Sequence, residues 1–525
     1  MISLRLLLSC AGCLLAWNVL SACVPTRPVY IVVTATSTPL AVLSPTPALH
    51  EQPRTPAGFT PEVAKVTPTP NPTRLERTAD TREYIVRPGD TLSSIASAYN
   101  VSLATLIEAN ALANPDLLIV GQVVRIPSVA SDTTPTLKII PDSRLVRGPG
   151  AAVFEVDEFV KRHDGFIRTA VDVVNGKTLT ASQVIEQVSL EFSVDPRLLL
   201  ALLELRANWL TDANPPETLR IYPLGAPASP LGFDRNGLYR QLAWAADRMN
   251  MGYYGWKYRN LDTFAFESGE RLRFGPGLNA GTIGVQYMLS LHNTKERWLT
   301  EIGPNGLYAV YAAFFGDPFA ATLDVLVPPG LEQPVLTLPF QAGEQWFFTG
   351  GPHGGWGSGS AWSAIDFAPP DDITQVSSAC YRSAHAVTAV ASGIITRSAE
   401  GVVILDLDGD GDDTTGWSIL YLHIDSEGRV EAGSRVKTGD VIGYASCEGG
   451  VSSGTHVHLA RRYNGEWIPA DCSGCPSDSN TPQFVLSGWT VYGLIGQEYQ
   501  GYLLRDGERR IAEQGRLSKD NLVSW

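Results

Sequence analysis

Short apolar runs separated by Gly- and Asp-rich turns fill the C-terminal part of this chain and constrain its fold more than any other feature. They are rich in β-branched residues and cover residues 387–396, 402–407, 417–424 and 441–445. Runs of this length and composition, bounded by such turns, are typical of antiparallel all-β domains. The pattern therefore predicts an all-β antiparallel domain over residues 331–525.

The length and charge of the chain limit what else it contains. A chain of 525 residues is too long for one hydrophobic core, and 44% hydrophobic with 18% charged residues is typical of folded domains. The formal net charge of -14 argues against holding nucleic acid or anionic lipid by bulk electrostatics. We therefore expect a multidomain protein with no nucleic acid partner.

The N-terminus has the pattern of an export signal. Arg5 precedes a mostly apolar run over residues 6–20, which is too short for a comfortable membrane span. The following Leu-Ser-Ala-Cys at 20–23 resembles a bacterial lipoprotein box. This resemblance implies removal of residues 1–22 as a lipoprotein signal peptide and diacylation of Cys23, which anchors the protein to the cell membrane on its outer side. An ordinary signal peptide, with Cys23 incidental, is the alternative.

Two segments of very different composition follow. Residues 23–82 are rich in Pro and Thr and bury too little apolar surface to order themselves, so they predict a disordered linker. Residues 83–128 then predict a strand, two capped helices and a second strand. With Gly-Asp-Thr-Leu at 89–92 and Arg-Ile-Pro at 125–127, this small α+β segment resembles a LysM domain. The resemblance implies binding of N-acetylglucosamine-containing glycans; a domain that has lost its ligand is the alternative.

The middle of the chain reads as mostly α-helical. Residues 129–145 predict a second linker, and residues 146–330 predict a helical domain. Within it, residues 194–209 resemble the catalytic helix of lysozyme-like lytic transglycosylases, which use a glutamic acid to protonate the glycosidic oxygen. Arg206 occupies the place of that acid, and Glu204 lies two residues earlier, rotated by about 200° around the helix. A degenerate transglycosylase-like domain or an unrelated helical spacer is therefore expected.

Histidines concentrate in the β-rich part, where His456 and His458 are two residues apart. Side chains two apart on a strand point to the same face, so both imidazoles are expected in one groove, and the same holds for Tyr421 and His423. Upstream, His353 lies in a glycine-rich segment before Asp366. The set His353, Asp366 and His458 offers three nitrogen or oxygen ligands to zinc and leaves a fourth position for water.

These residues occur in motifs that resemble the lysostaphin-like zinc endopeptidases of bacterial walls. The motifs are Gly-Pro-His at 351–353, Ile-Asp-Phe at 365–367, Tyr-Leu-His at 421–423 and the segment 447–458. Trp362 occupies the place of the first ligand in the commoner branch, so the spacing favours the staphylolysin and β-lytic branch. The resemblance implies zinc bound by His353, Asp366 and His458, a proton moved by His423 and His456, and substrate contact by Tyr421. Which histidine is the general base stays open, and His385 matches no motif position.

Four cysteines and an acidic run complete the candidate sites. Cys380, Cys447, Cys472 and Cys475 remain after the signal and Cys23 are set aside, and an even number in an exported protein predicts disulfides with three possible connectivities. The alternative for Cys472 and Cys475 is that they form half of a metal site.

Acidic residues at alternate positions in residues 406–413 are typical of calcium loops, although Trp417 at the twelfth position excludes a helix-loop-helix site. The candidate calcium ligands are Asp406, Asp408, Asp410 and Asp412. The alternative is that these residues form a polar hairpin tip without a metal.

The resemblance implies a zinc metalloendopeptidase that hydrolyses peptide bonds in peptidoglycan cross-links or bridges, with LysM binding the glycan. Two alternatives differ in class: a non-catalytic wall-binding or amidase-regulating protein on a peptidase fold, and an extracellular protease that cuts Gly-rich proteins. Presence of all three candidate ligands together with His423 and His456 favours an enzyme.

Overall fold

The computed structural model describes residues 81–525, apart from residues 100, 113, 128–131, 229–231, 321–324, 373, 375, 377, 473, 477–478, 480 and 517. The predictions of a signal peptide, of lipidation at Cys23 and of a disordered linker lie outside the described residues, except that the last two linker residues, 81 and 82, belong to a strand. Within the described part of the chain, no helix is both long and apolar enough to cross a membrane.

The first described domain is a two-stranded sheet with two helices. Thr91 caps the first helix in a capping box with Ser94, and Ser102 caps the second by accepting from Thr105. Leu106 and Ile95 are buried between helices and sheet. The predicted order of strand, helix, helix and strand is observed, with the elements β1 Thr81–Ile85, α1 Leu92–Ala98, α2 Leu103–Asn110 and β2 Val123–Pro127.

The middle domain is mostly helical, as the sequence predicts, with two small hairpins. Asp195 caps one of its central helices, and Pro196 occupies the first turn, where its missing N–H is not needed. The helices are α3 Asp142–Leu145, α4 Val156–Val160, α5 Ala181–Phe192, α6 Pro196–Ala207, α7 Glu217–Ile221, α8 Leu238–Tyr258, α9 Ala280–Ser290, α10 Lys295–Glu301 and α11 Leu307–Phe315, with a 3-10 turn at Phe166–Arg168. The strands are β3 Val171–Val174, β4 Lys177–Thr180, β5 Thr263–Ala265 and β6 Arg271–Arg273.

The predicted linker over 129–145 is wrong from residue 132 onward. Thr133 forms a parallel bridge with Arg273, and the side chains of Ile139 and Ile140 are buried in the core of the helical domain. The apolar residues of this stretch have a partner to bury against, so the segment is part of the domain instead of a spacer.

The C-terminal domain is antiparallel and all-β. One large sheet has the strand order β13-β10-β11-β12-β15-β8-β7-β21, with β16 paired to β15, and two smaller sheets, β14-β9 and β17-β18-β19-β20, accompany it. Its strands are β7 Trp346–His353, β8 Ala364–Ala368, β9 Ala386–Thr388, β10 Gly393–Ala399, β11 Val402–Asp406, β12 Trp417–Leu422, β13 Arg435–Val436, β14 Val441–Tyr444, β15 Val457–Tyr463, β16 Glu466–Trp467, β17 Val485–Leu486, β18 Trp489–Leu494, β19 Gln497–Arg505, β20 Glu508–Ile511 and β21 Leu522–Val523.

Both faces of the large sheet are buried, which explains its continuous apolar runs. On β11, Ile404 belongs to the core shared with the helical domain, whereas Val403 and Leu405 belong to the core of the β domain itself. Ala460 on β15 faces the helical domain, so His458, two residues earlier, lies on the same face. The helical domain therefore covers the face of the sheet that carries the candidate site.

A buried carboxylate ties the helical domain to the sheet. Glu466 on β16 is fully buried and accepts hydrogen bonds from the hydroxyls of Tyr253 and Tyr258 at 3.0 and 2.5 Å. It also pairs with the ammonium group of Lys257 at 2.6 Å. Removal of one of these partners would leave the carboxylate buried and incompletely paired, which costs free energy. We therefore expect the helical domain and the sheet to stay together.

Candidate metal centre

Three adjacent strands bring the predicted ligands together. Asp366 on β8 is opposite His458 on β15, and His353 ends β7 on the other side of β8. The Asp366 Oδ1 atom lies 3.3 Å from His353 Nε2 and 3.2 Å from His458 Nδ1. All three side chains are buried, and their donor atoms lie within 4.8 Å of one another.

Backbone carbonyls fix which nitrogen of each imidazole faces the centre. His353 Nδ1 lies 2.8 Å from the Gly351 carbonyl oxygen, and His458 Nε2 lies 3.0 Å from that of Gly355. Carbonyl oxygens only accept, so each ring donates there and presents the lone pair of its other nitrogen. The two lone pairs meet at 2.9 Å, between His353 Nε2 and His458 Nδ1.

The centre fits a cation. Asp366 Oδ1 is buried without a hydrogen-bond donor, and it faces two imidazole nitrogens that each need a positive partner. Burial opposes ionisation of Asp366, but the positive charge that His353 and His456 carry when protonated outweighs it and holds the pKa of the carboxyl well below its usual range, and a bound cation would act in the same direction. Two imidazoles and one carboxylate form a donor set that zinc accepts, with one tetrahedral position left over.

The glycine-rich loop after His353 is held from two directions. A Cβ on Gly354 would collide with the carbonyl oxygen of Gly357, so the turn requires glycine. Asp247 on α8 accepts from the Gly359 amide at 2.9 Å, and Glu498 on β19 accepts from the Gly354 amide at 3.2 Å. The helical domain therefore contributes directly to the loop that carries Gly355, the partner of His458.

A second histidine pair lies beside the three candidate ligands. The rings of His423 and His456 are 4.5 Å apart, and His456 Nε2 lies 3.7 Å from Asp366 Oδ1. Their Nδ1 atoms face the carbonyl oxygens of Glu448 and Gly454 at 3.1 and 2.7 Å. Each Nε2 is consequently free to exchange a proton. Burial, with the neighbouring His456 and His458, lowers the pKa of His423 well below its usual value, so its imidazole is neutral.

The predicted substrate contact of Tyr421 is wrong. Its side chain is fully buried in the core of the β domain, and its hydroxyl accepts from the Val390 amide at 2.7 Å. The expected common face with His423 fails because β12 ends at Leu422 and His423 has φ 67°. The backbone turns there, so alternation along the strand no longer predicts the direction of the side chain.

Two residues near the centre are missed by the sequence patterns. The Tyr499 ring stacks on the His353 ring with centroids 4.2 Å apart, and Tyr499 has φ 66°. Glu498 is its neighbour, and burial raises the pKa of the Glu498 carboxyl. Both lie on β19, more than a hundred residues after His353, and no local motif marks them.

The four cysteines in the described part of the chain form two pairs. Cys380 bonds to Cys447, 67 residues away, and Cys472 bonds to Cys475. The first bond holds the segment before Glu448, whose carbonyl oxygen accepts from His423.

His385, which matches no motif position, lies away from the metal centre. Its Nδ1 atom is 3.0 Å from the Glu344 carboxylate.

The acidic run closes the hairpin between β11 and β12. Oxygens of Asp406, Asp408 and Asp410 lie within 4.8 Å of one another. Asp406 is 0% exposed, and its Oδ1 atom has no hydrogen-bond partner. Asp412, predicted as a fourth member, is not part of this group, and its carboxylate accepts from the Thr414 amide and hydroxyl.

The helix with the transglycosylase-like sequence offers no free acid at Glu204. Its carboxylate is buried and accepts from the Leu210 amide at 2.9 Å and the Thr211 hydroxyl at 2.5 Å. Arg206 is paired with the buried Glu301 at 2.7 Å. Both side chains are engaged in holding the helical domain together.

Three family models match parts of the chain. Residues 84–127 match the LysM domain, residues 138–328 match the LasA N-terminal domain, and residues 376–469 match peptidase family M23. The last match includes His423, His456 and His458 and begins after His353 and Asp366. These matches confirm the predicted fold class and the predicted metalloendopeptidase, and they support peptidoglycan as its partner.

Individual proteins are similar over parts of their length. Protease LasA of Pseudomonas aeruginosa (strain UCBPP-PA14) is 28% identical over 311 residues, which are 55% of this chain and 67% of that protein. N-acetylmuramoyl-L-alanine amidase XlyA of Bacillus subtilis (strain 168) is 42% identical over 59 residues, 11% of this chain and 20% of that protein.

Solved structures show weaker similarity. The M23 metalloprotease pseudoalterin from the deep sea has a TM-score of 0.27 at 23% identity, over 34% of this chain and 96% of that chain. The catalytic domain of lysostaphin from Staphylococcus simulans has a TM-score of 0.17 at 21% identity, over 24% of this chain and 88% of that chain.

Proposed function

We propose that this chain, which carries a peptidase family M23 domain and a LysM domain, is a cell-wall-associated zinc metalloendopeptidase whose metal is held by His353, Asp366 and His458. The observation that carries the ligand assignment is the convergence of two imidazole lone pairs and an unpartnered, buried carboxylate oxygen. The spacing of His353 and Asp366, with Trp362 between them, supports membership of the staphylolysin and β-lytic branch as part of this proposal.

The residues around the metal divide the chemistry between them. When bound, zinc supplies Lewis acidity toward the scissile carbonyl and lowers the pKa of water. His423 and His456 receive the proton of the attacking water at Nε2, since their Nδ1 atoms already donate to carbonyls. The same pair returns the proton to the leaving amine, so water adds across the peptide bond to give an amine and a carboxylic acid, which then ionises.

The test is digestion of purified peptidoglycan by the full chain with zinc, with chelator, and with zinc restored, followed by mass analysis of the fragments. We expect new peptide termini that appear with zinc and vanish with chelator. Intact cross-links with a folded, zinc-loaded protein would support the non-catalytic alternative. Cleavage confined to a Gly-rich protein would support the general protease.

Substitutions separate metal binding from proton transfer. His458→Ala is expected to remove zinc, whereas His423→Ala and His456→Ala keep about one zinc per chain and lose cleavage. His385→Ala is the control, since His385 is paired with Glu344 away from the centre. Unchanged zinc content in His458→Ala would contradict the ligand set.

A lipid anchor at Cys23 is part of the proposal. It is supported by the Leu-Ser-Ala-Cys sequence at residues 20–23 and by the tether-like composition of residues 24–82. Metabolic labelling with a fatty acid is expected to mark the chain and not its Cys23→Ser variant. Equal labelling, or labelling of neither protein, would contradict the anchor.

Calcium binding at the β11–β12 hairpin is a second, separate proposal. It is supported by Asp406, which is fully buried with an Oδ1 that has no hydrogen-bond partner, and whose carboxylate lies within 4.8 Å of oxygens of Asp408 and Asp410. Carboxylates gathered this closely repel one another unless a proton or a cation lies between them, and oxygen ligands suit calcium. Isothermal titration of Ca²⁺ into the wild-type chain and Asp406→Asn checks it; equal binding curves would contradict it.

A further inference from the structure

One hairpin of the peptidase domain is docked on the LysM domain. Strands β18 and β19 are joined at Leu494 and Gln497 by the turn residues Ile495 and Gly496. The Ile495 side chain packs against the apolar core of the LysM domain. Gly496 has φ 65°, and a Cβ there would lie 2.6 Å from the carbonyl oxygen of Ser94 on α1, so the two backbones are in close contact.

The approach is equally close from the LysM side. Gly89 lies in the loop between β1 and α1, and a Cβ on it would lie 2.8 Å from a methyl group of Leu494. The side-chain Nε2 of Gln497 donates to the Gly89 carbonyl oxygen at 3.5 Å. Glycine on both surfaces allows this contact, and a larger side chain at either place would separate the domains.

The residues that follow the docked turn enter the metal centre. Glu498 accepts from the Gly354 amide at 3.2 Å, and the Tyr499 ring stacks on His353. The backbone at Gln500 leaves no room for a Cβ on Gly351, whose carbonyl fixes the His353 ring. A single short segment, residues 494–500, thus contacts the LysM core and the candidate zinc ligand.

We propose that hairpin β18–β19 is a positioning element that holds the LysM domain at a fixed place relative to the metal centre. One peptidoglycan strand is then bound through its glycan by LysM while its peptide lies at His353, Asp366 and His458. A domain on a flexible linker samples many positions, whereas a docked domain presents its ligand at one. This inference rests on the proposed function and adds the element that joins its two binding events.

Two variants undock the domains from opposite sides. Ala98→Glu adds bulk and charge on α1, where the Ala98 methyl lies 3.4 Å from the place of a Gly496 Cβ, without changing the hairpin. Ile495→Asp removes the apolar contact from the hairpin side. Ser97→Glu is the matched control, because it adds the same charge to the neighbouring, exposed position of the same helix.

The kinetic test compares two substrates of the full chain: insoluble cross-linked peptidoglycan and the same cross-linked peptide without sugar. In both undocking variants we expect KM for peptidoglycan to rise about tenfold with kcat little changed, and cleavage of the sugar-free peptide to stay within about twofold of wild type. Ser97→Glu should match wild type on both. Equal peptidoglycan KM in all four proteins contradicts the inference alone, whereas a wild type that cleaves neither substrate contradicts the proposed function and this inference with it.

Hydrogen exchange tests the docking without any cleavage. Amides of residues 495–497 are expected to exchange faster in Ala98→Glu than in wild type or Ser97→Glu, because the turn loses its contact with α1. Identical exchange in the three proteins would show that the docking does not hold the hairpin, and the inference would be wrong.

Discussion

His353 Nε2 and His458 Nδ1 lie 2.9 Å apart, although each ring already gives its other nitrogen to a backbone carbonyl. Neutral imidazoles in these tautomers face each other with lone pairs, which is unfavourable without a positive partner between them. The carbonyls of Gly351 and Gly355 therefore orient the two rings for a metal before it arrives, in the manner of outer ligand partners. Both carbonyls belong to the glycine-rich segment, so the backbone conformation of that segment sets the orientation of the two rings.

The contact between Asp247 and this segment leads to a first prediction. Asp247→Ala removes the acceptor for the Gly359 amide and leaves that buried donor unsatisfied, at a cost of about 1–3 kcal/mol. The loop that carries Gly355 loosens, so zinc affinity is expected to fall about tenfold. Competition with a chromophoric chelator measures the affinity. Asp164→Ala, at an exposed position, is the control; equal affinity in both variants would show that α8 does not support the site.

The sequence predicts the parts of this site that depend on local strand geometry, and it does not predict the parts that depend on tertiary contacts. Alternation on a strand correctly places His458 on one face of the sheet, because β15 is regular there. The same rule fails for Tyr421 and His423, because a positive φ at His423 ends the strand. Asp247 and Tyr499 reach the site from other elements, and tertiary contacts of this kind leave no periodic signal.

A second prediction concerns the shared core. A fragment of residues 331–525 loses the helical domain and exposes the apolar face of the sheet, including Ile404 and Leu420. We expect this fragment to aggregate, whereas residues 132–525, which lack the LysM domain and the segments before it but keep the helical domain, remain monomeric. Size-exclusion chromatography with light scattering checks the outcome. A monomeric, cooperatively unfolding fragment of 331–525 would contradict the shared core.

The two disulfides are expected to contribute unequally. In the chain-entropy treatment, closing the 67-residue separation of Cys380 and Cys447 stabilises the fold by about 4 kcal/mol. The Cys472–Cys475 bond spans three residues and contributes less. Denaturant unfolding of the Cys380→Ser/Cys447→Ser and Cys472→Ser/Cys475→Ser double variants measures both. Equal losses of stability would contradict this order.

The acidic hairpin should respond to pH and calcium together. Burial and the neighbouring Asp408 and Asp410 carboxylates raise the pKa of Asp406 to about 7. The folded state therefore holds a proton that the unfolded state has released, and without metal its stability falls as the pH rises from about 4 through 7. Since calcium competes with that proton, the calcium-induced increase in Tm is expected to be larger at pH 8 than at pH 5.

The control for this experiment is Asp412→Asn, whose side chain can still accept from Thr414. It should keep the calcium response at both pH values, whereas Asp406→Asn should lose it. A calcium response that is independent of pH, or that survives in Asp406→Asn, would contradict the role of the buried carboxylate.

The most direct test of the account is anomalous diffraction at the zinc edge from crystals of the full chain grown with zinc. We predict a single strong peak within bonding distance of His353 Nε2, Asp366 Oδ1 and His458 Nδ1, with His423 and His456 beside it but not bound. A peak held by His423 and His456, or no peak at the three converging side chains, would contradict the central claim.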